Sequence, residues 1–309
     1  MKTRKSVFGL KNVSAAIALA LIFLASCQKD SSILNSADTQ NVNAESASSG
    51  YLNEGSDIST NAIGGISATQ YAGAREEGNI AALLALRDER FKCATVTIEI
   101  TGTKDAPSGI ITIAFDGTCA DKRGVKRSGS IIINYNGKRW MPNSYFSIHA
   151  NFFRNDIHIE GIDSVITKVS ADSTTLGFLQ FESILSGKVT FGDGRVVTRN
   201  HNLTREWFRA TNPLNDEWHT LKGGEAYGTC KNGTYTMHIS KDLVHKVSCL
   251  EDRVFIPVSG TKVLDIIDPQ TNATKKQYTI DYGDGTCDND ITVTIEGKEK
   301  TITVNGEGD

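Results

Sequence analysis

Residues 276–305 read KQYTIDYGDGTCDNDITVTIEGKEKTITVN. Tyr278, Ile280 and Tyr282 alternate with polar residues, as do Ile291, Val293 and Ile295, then Ile302 and Val304. A period of two puts successive side chains on opposite faces of a strand. Glu296-Gly297 breaks the pattern where a tight hairpin needs a residue that accepts positive φ. The same alternation runs back through 93–100, 109–115, 129–135, 145–152, 155–161, 187–192, 194–200, 202–208, 233–239 and 253–259. Asn136-Gly137, Gly192-Asp193-Gly194 and Asn232-Gly233 punctuate it. β-branched residues fill the runs, and no βαβ spacing occurs. Strands that alternate show one face to a core and one to water, as antiparallel sheets do. The body is therefore expected to be all-β, an antiparallel sandwich or layered sheet.

Upstream the period changes. Residues 76–91 (EEGNIAALLALRDERF) place Ile80, Leu83, Leu84 and Leu86 near i, i+3, i+4 spacing, which predicts one short helix. From Ser31 to Ile66 the chain is Ser, Asn, Ala, Gly and Thr with a few acids, and no Lys or Arg occurs between Lys29 and Arg75. Such a stretch buries too little apolar surface to fold alone and is expected to be a flexible tether.

The amino terminus is a targeting segment. Lys2, Arg4, Lys5 and Lys11 precede an apolar run from Val13 to Leu24, shorter than the roughly 20 residues a spanning helix needs. Leu24-Ala25-Ser26-Cys27 then resembles a bacterial lipobox, with cleavage between Ser26 and Cys27 and lipid on the Cys27 thiol. The expected organisation is a signal peptide (1–26), a lipidated cysteine with its tether (27–66) and a β-rich domain (67–309). Without the leader's four positive charges the chain carries 29 basic and 36 acidic groups, a net −7. That balance argues against a nucleic-acid partner and leaves membrane attachment to the acyl chains. Gln28-Lys29-Asp30 resembles the short export tag of Bacteroidota lipoproteins. The expected location is the outer face of the outer membrane, with its periplasmic face as the alternative.

Two stretches, 93–140 and 249–305, form a degenerate repeat. In each, a cysteine opens the unit, an alternating strand ends in Asp-Gly-Thr-Cys, and a further strand leads to a glycine turn before lysine. An exported chain meets an oxidising compartment, and the matched positions predict Cys93–Cys119 and Cys249–Cys287, with Cys230 left over. The alternative is five buried thiols.

The order ITIAFDGTC, SGSIIINYNGK, REWFRATNPLNDEWHTLKG, CLEDRVFIPVSG and IDYGDGTCDN over residues 93–309 resembles a group of Bacteroidota surface lipoproteins. The resemblance implies a secreted, lipid-anchored β protein and implies no activity.

Candidate chemistry is sparse. Trp140, Trp207 and Trp218 stand near Arg139, Arg205 and Arg209; rings with planar donors can stack on sugars, or simply pack. Asp281, Asp284, Asp288 and Asp290 crowd one loop, where oxygen ligands would suit calcium, although the spacing is not that of an EF-hand and turn-capping aspartates are the alternative. His149, His158, His201, His219, His238 and His245 form no metal-binding motif and read as strand residues. Glu206 and Glu217 are a candidate carboxylate pair for a glycosidase, with solvent-facing charge as the alternative. The expectation is a non-enzymatic binding or scaffold module for an extracellular ligand; the alternative is a secreted glycan-active hydrolase.

Overall fold

The computed structural model describes residues 34–71 and 81–304, apart from 83, 87, 104, 139, 170–177, 231, 232 and 251. The leader, Ser26, Cys27 and the export-tag run lie outside the described residues. No described helix is long and apolar enough to cross a membrane.

The strands are β1 (Ala94–Ile100), β2 (Ser108–Ala120), β3 (Lys126–Asn136), β4 (Tyr145–Arg154), β5 (Ile157–Val169), β6 (Phe178–Thr190) and β7 (Val196–Phe208). Then come β8 (Glu217–Thr220), β9 (Glu225–Cys230), β10 (Gly233–Lys246), β11 (Ser259–Ile267), β12 (Thr274–Asp284), β13 (Asp290–Ile295) and β14 (Lys298–Thr303). They make one 14-stranded antiparallel sheet in chain order, with β9 off the main path and paired to β7 and β10. Alternation decides which face is buried. On β2, Ile111, Ile113 and Phe115 point inward while Ala114 and Asp116 are exposed.

One helix, α1 (Ser36–Tyr71), lies against the buried face. This corrects the tether expected over 27–66: the stretch from Ser36 is helical, and Val42, Ala47, Ile58 and Ala62 have no solvent exposure. It also corrects the position of the helix. Of the 76–91 stretch, Ala81, Ala82, Leu84 and Ala85 are helical, a 3-10 turn covers Glu89–Cys93, and 76–80 lie outside the described residues.

Three features account for α1. Asn35 and Asp38 form a reciprocal cap, Asp38 N donating to Asn35 Oδ1 at 2.9 Å and Asn35 N to Asp38 Oδ2 at 3.2 Å. The helix carries carboxylates and no cations, and the sheet supplies the counter-charges. Asp38 meets Lys276, Glu45 meets Arg199 and Lys262, and Glu54 meets Arg127 and Arg154. Small residues then let neighbours approach closely. A Cβ on Gly50 would come within 2.6 Å of the Phe255 ring. Polarity therefore did not prevent burial, because Asp38, Glu45 and Glu54 are each matched by a cation of the sheet, and Asp57 by Arg90 of the 3-10 turn.

Residues 38 to 54 of α1 rise about 24 Å, while the eight strand spacings from β3 to β12 would cover about 38 Å if flat. Sheets of this width curl or split into packed layers, and α1 packs against β3 to β7 and β9 of this one. The remaining side is closed by 247–258. There Tyr51 stacks on Phe255 at 6.1 Å, and Val254, Ile256 and Val258 are buried. This corrects the strand expected over 253–259. The alternation serves burial, but Val254–Val258 pair with no ladder, and Pro257 lacks a donor.

Both expected disulfides are formed, with Cα–Cα separations of 5.7 Å for Cys93–Cys119 and 5.1 Å for Cys249–Cys287. The two repeat stretches share local structure. Cys93 and Cys249 each lie in a 3-10 turn. Asp116 accepts from Thr118 N and Oγ1 just as Asp284 accepts from Thr286 N and Oγ1. Gly117 and Gly285 take the positive φ those turns require, 76° and 103°. Cys230 is outside both bonds, its thiol donating to Gly233 O at 3.4 Å.

Candidate functional site

Antiparallel pairing of β7 with β8 sets Trp207 directly opposite Trp218. Their rings stack at 5.0 Å and 8°. Trp140, in the β3–β4 turn, closes on Trp207 edge-on at 5.5 Å, and Phe181 on β6 reaches both Trp140 (5.5 Å) and Trp218 (5.9 Å). The three tryptophans read from the sequence are thus one half-buried cluster. Arg209 lies 5.2 Å over Trp207 and Arg205 4.9 Å over Trp218. Stacked rings leave no room between them, so each guanidinium covers an outer face. Arg139 lies outside the described residues.

Trp140 has φ +61°. For a bulky residue this left-handed conformation costs on the order of 1–3 kcal/mol and persists only where the surroundings enforce it. Phe146, Phe181 and Trp207 enforce it here. Asp216 anchors the hairpin by accepting from Trp207 Nε1 at 2.9 Å and from Ala210 N at 2.8 Å.

Beneath the cluster is a cavity of about 30 Å³, room for roughly two water-sized atoms. Its lining is mostly apolar, from Ile63, Trp140, Phe146, Ile148, Val165, Phe181 and Trp218, with Ser56 and Thr60 of α1, Asp163, Ser183 and Arg205 as the polar members. Its floor is a directed chain of hydrogen bonds. Arg199 Nε donates to His201 Nδ1 at 3.4 Å, so His201 carries its proton on Nε2 and donates to Ser183 Oγ at 3.0 Å. Ser183 Oγ donates to Asp163 Oδ1 at 2.8 Å, and Ser56 Oγ to Oδ2 at 2.5 Å. Burial, then Arg199 and Arg205, hold the His201 imidazole well below its usual range, so the ring is neutral. A nucleophilic serine gives its proton to a histidine base. Ser183 does the reverse, receiving from histidine and donating to a carboxylate, so this chain orients groups and does not activate a nucleophile.

Sequence reading missed Asp163, Ser183 and Ser56. The available signal was phase: on β5, β6 and β7, Asp163, Ser183, Arg199 and His201 occupy the inward positions that apolar residues fill elsewhere on the same strands. A second cavity of about 20 Å³ lies beside Arg199, Lys262 and His245. There burial, then Arg205 and Lys262, push the His245 ring down to about 3.

The other candidates separate. Glu206 faces away from the tryptophans, accepting from Gln180, and Glu217 pairs with His219 on that same outer face. The two carboxylates therefore do not flank the aromatic cavity. Asp281, Asp284 and Asp288 accept from backbone N–H groups of their own turns and Asp290 from Thr303, as turn-capping residues do. Among the described residues no three His, Cys, Asp or Glu side chains gather as a metal site would require. No known protein family, curated protein or solved structure matches this chain.

Proposed function

We propose that the protein is an exported, lipid-anchored binding module of the outer membrane, displayed on the outer face, that takes an extracellular ligand at the Trp140–Trp207–Trp218 cluster. The observation that carries this reading is the cluster itself. Three tryptophans from separate elements converge, two of them line a largely apolar cavity that also holds Arg205 and Asp163, and one is held in a left-handed backbone whose cost a plain core residue has no reason to bear. Half-buried aromatics supply contact area at low entropic cost. The anchor rests on the lipobox at Cys27, only seven positions before the buried Leu34.

Tryptophan fluorescence of the full chain, titrated with a panel of soluble polysaccharides and small organic ligands, tests the site. A saturable change that disappears in Trp218→Ala supports the reading; no response to any member of the panel overturns it. For the anchor, Cys27→Ala is expected to leave the membrane fraction, and a variant that still sediments with membranes refutes it.

A further inference from the structure

Arg205 is the exception among the interior cations. Arg90, Arg127, Arg199 and Lys262 each hold a carboxylate oxygen at 2.5–2.9 Å. Among the described residues the Arg205 guanidinium makes no hydrogen bond and no ion pair. Its Nε is shielded from solvent without a partner, and its contact is the face of Trp218. A guanidinium carries five donors, and the Nε of Arg205, shielded from solvent, is costly to leave unmet. Arg205 nevertheless lines the cavity beneath the tryptophans.

The neighbours define what would satisfy it. Ser56 and Ser183 have given their protons to Asp163, and Thr60 has given its own to Ser56 O. Among the described residues, the Arg205 guanidinium lines this cavity with its donors unclaimed by any protein acceptor. A group seated there must bring acceptors and need not bring a donor. An ionised carboxylate is acceptor-only, planar and matched to the guanidinium fork. Its two oxygens are of the size the 30 Å³ cavity admits. Asp163 lines the same cavity, and its negative charge disfavours a dianion such as phosphate.

We propose that Arg205 is a receptor for the carboxylate of a small organic acid or acidic saccharide, whose body lies against Trp140 and Trp218. This deepens the binding role proposed above and rests on it. Calorimetric titration and tryptophan fluorescence of the full chain with two matched pairs test it: benzoate against benzyl alcohol, and galacturonate against galactose. At least one acid is expected to bind roughly tenfold or more tighter than its neutral partner, and the pair that responds identifies the source. Arg205→Met should weaken that acid by roughly tenfold or more, the loss expected of a charge-assisted hydrogen bond, with its unfolding transition and disulfides retained. Equal affinity for acid and neutral partner, or unchanged acid binding in Arg205→Met, overturns the proposal. If galactose or benzyl alcohol binds as well as its acid and Trp218→Ala abolishes the signal, the carboxylate assignment falls while the binding role stands. If no ligand responds, both fall.

Discussion

Arg199 and Arg205 project from the same buried face of β7, yet their surroundings differ. Arg199 lies 2.6 Å from Glu45 of the helix, which also holds Lys262 at 2.5 Å. Burial works to raise the Glu45 carboxyl, and Lys262 and Arg199 outweigh it, holding it below the usual range. Arg205 has an aromatic face and a cavity instead, and burial draws its guanidinium below the usual value despite Asp163 and Asp57. The contrast separates two uses of buried charge. A cation matched by a carboxylate sets the register between helix and sheet. A cation left with open donors lowers the stability of the fold and is retained only where something else meets it.

Glu45→Gln should have the largest effect, because it leaves Arg199 and Lys262 facing each other without a counter-charge. A loss of about 3–5 kcal/mol in denaturant unfolding is expected. A loss below about 1 kcal/mol would mean that the paired arginine is no more structural than the unpaired one.

Acid should have the next effect, through two histidines, His201 under the influence of both arginines and His245 under that of Arg205. His201 and His245 titrate far below their usual range when folded, whereas in the unfolded chain they titrate near 6.5. With folded values depressed, the unfolded chain takes up protons first. Stability is then complete above about pH 6.5 and falls by about 1.4 kcal/mol per histidine for each pH unit below it. For His245 the loss continues to about 3. Unfolding at pH 7.5 and 5.5 should differ by about 2–3 kcal/mol. A flat profile would show that these rings are not kept neutral by burial beside the arginines. At lower pH, Glu45, Glu54 and Asp38, all held below the usual carboxylate range, add their own losses.

Asp163→Asn probes the link between the two arginines, since the hydrogen-bond chain from Arg199 ends on Asp163 in the Arg205 cavity. An amide oxygen can accept from one serine where the carboxylate served both. The expected cost is about 1.5–3 kcal/mol, and a neutral outcome would show that the chain is not cooperative.

The smallest effect is expected for Arg205→Met, within about 1 kcal/mol of the native protein and on either side of zero, because no ion pair is lost and an unmet charge is removed. Destabilisation approaching that of Glu45→Gln would erase the distinction.

The strands were legible because their signal is local. Each alternating run, such as Tyr278-Ile280-Tyr282, states its own buried face, and each glycine turn its own hairpin. The disulfides were legible because Cys93, Cys119, Cys249 and Cys287 stand at matched places in two similar stretches. The tryptophans were marked as candidates by type, but their meeting depends on β7 pairing with β8 and on a turn at Trp140 that no local pattern encodes. Helix α1 was misread for the opposite reason: judged alone, residues 36–66 are mostly polar, and buried apolar residues such as Val42 and Ile58 alternate with buried Asp38, Glu45 and Ser59.

By itself, then, the sequence determined an antiparallel β body, many of its turns and its cysteine pairs, since each depends on period, turn chemistry or short-range likeness. Tertiary structure decided that the polar segment would be a helix packed on the sheet, that Asp38, Glu45 and Glu54 would be tolerable in the interior, and that Arg205, unlike Arg199 and Lys262, would have no carboxylate at ion-pair distance. Those outcomes turn on which charge meets which across a helix–sheet contact, as when Lys262 reaches Glu45 from 217 positions along the chain. A buried charge is stable only in the presence of its partner, and that partner exists only once the helix has packed on the sheet.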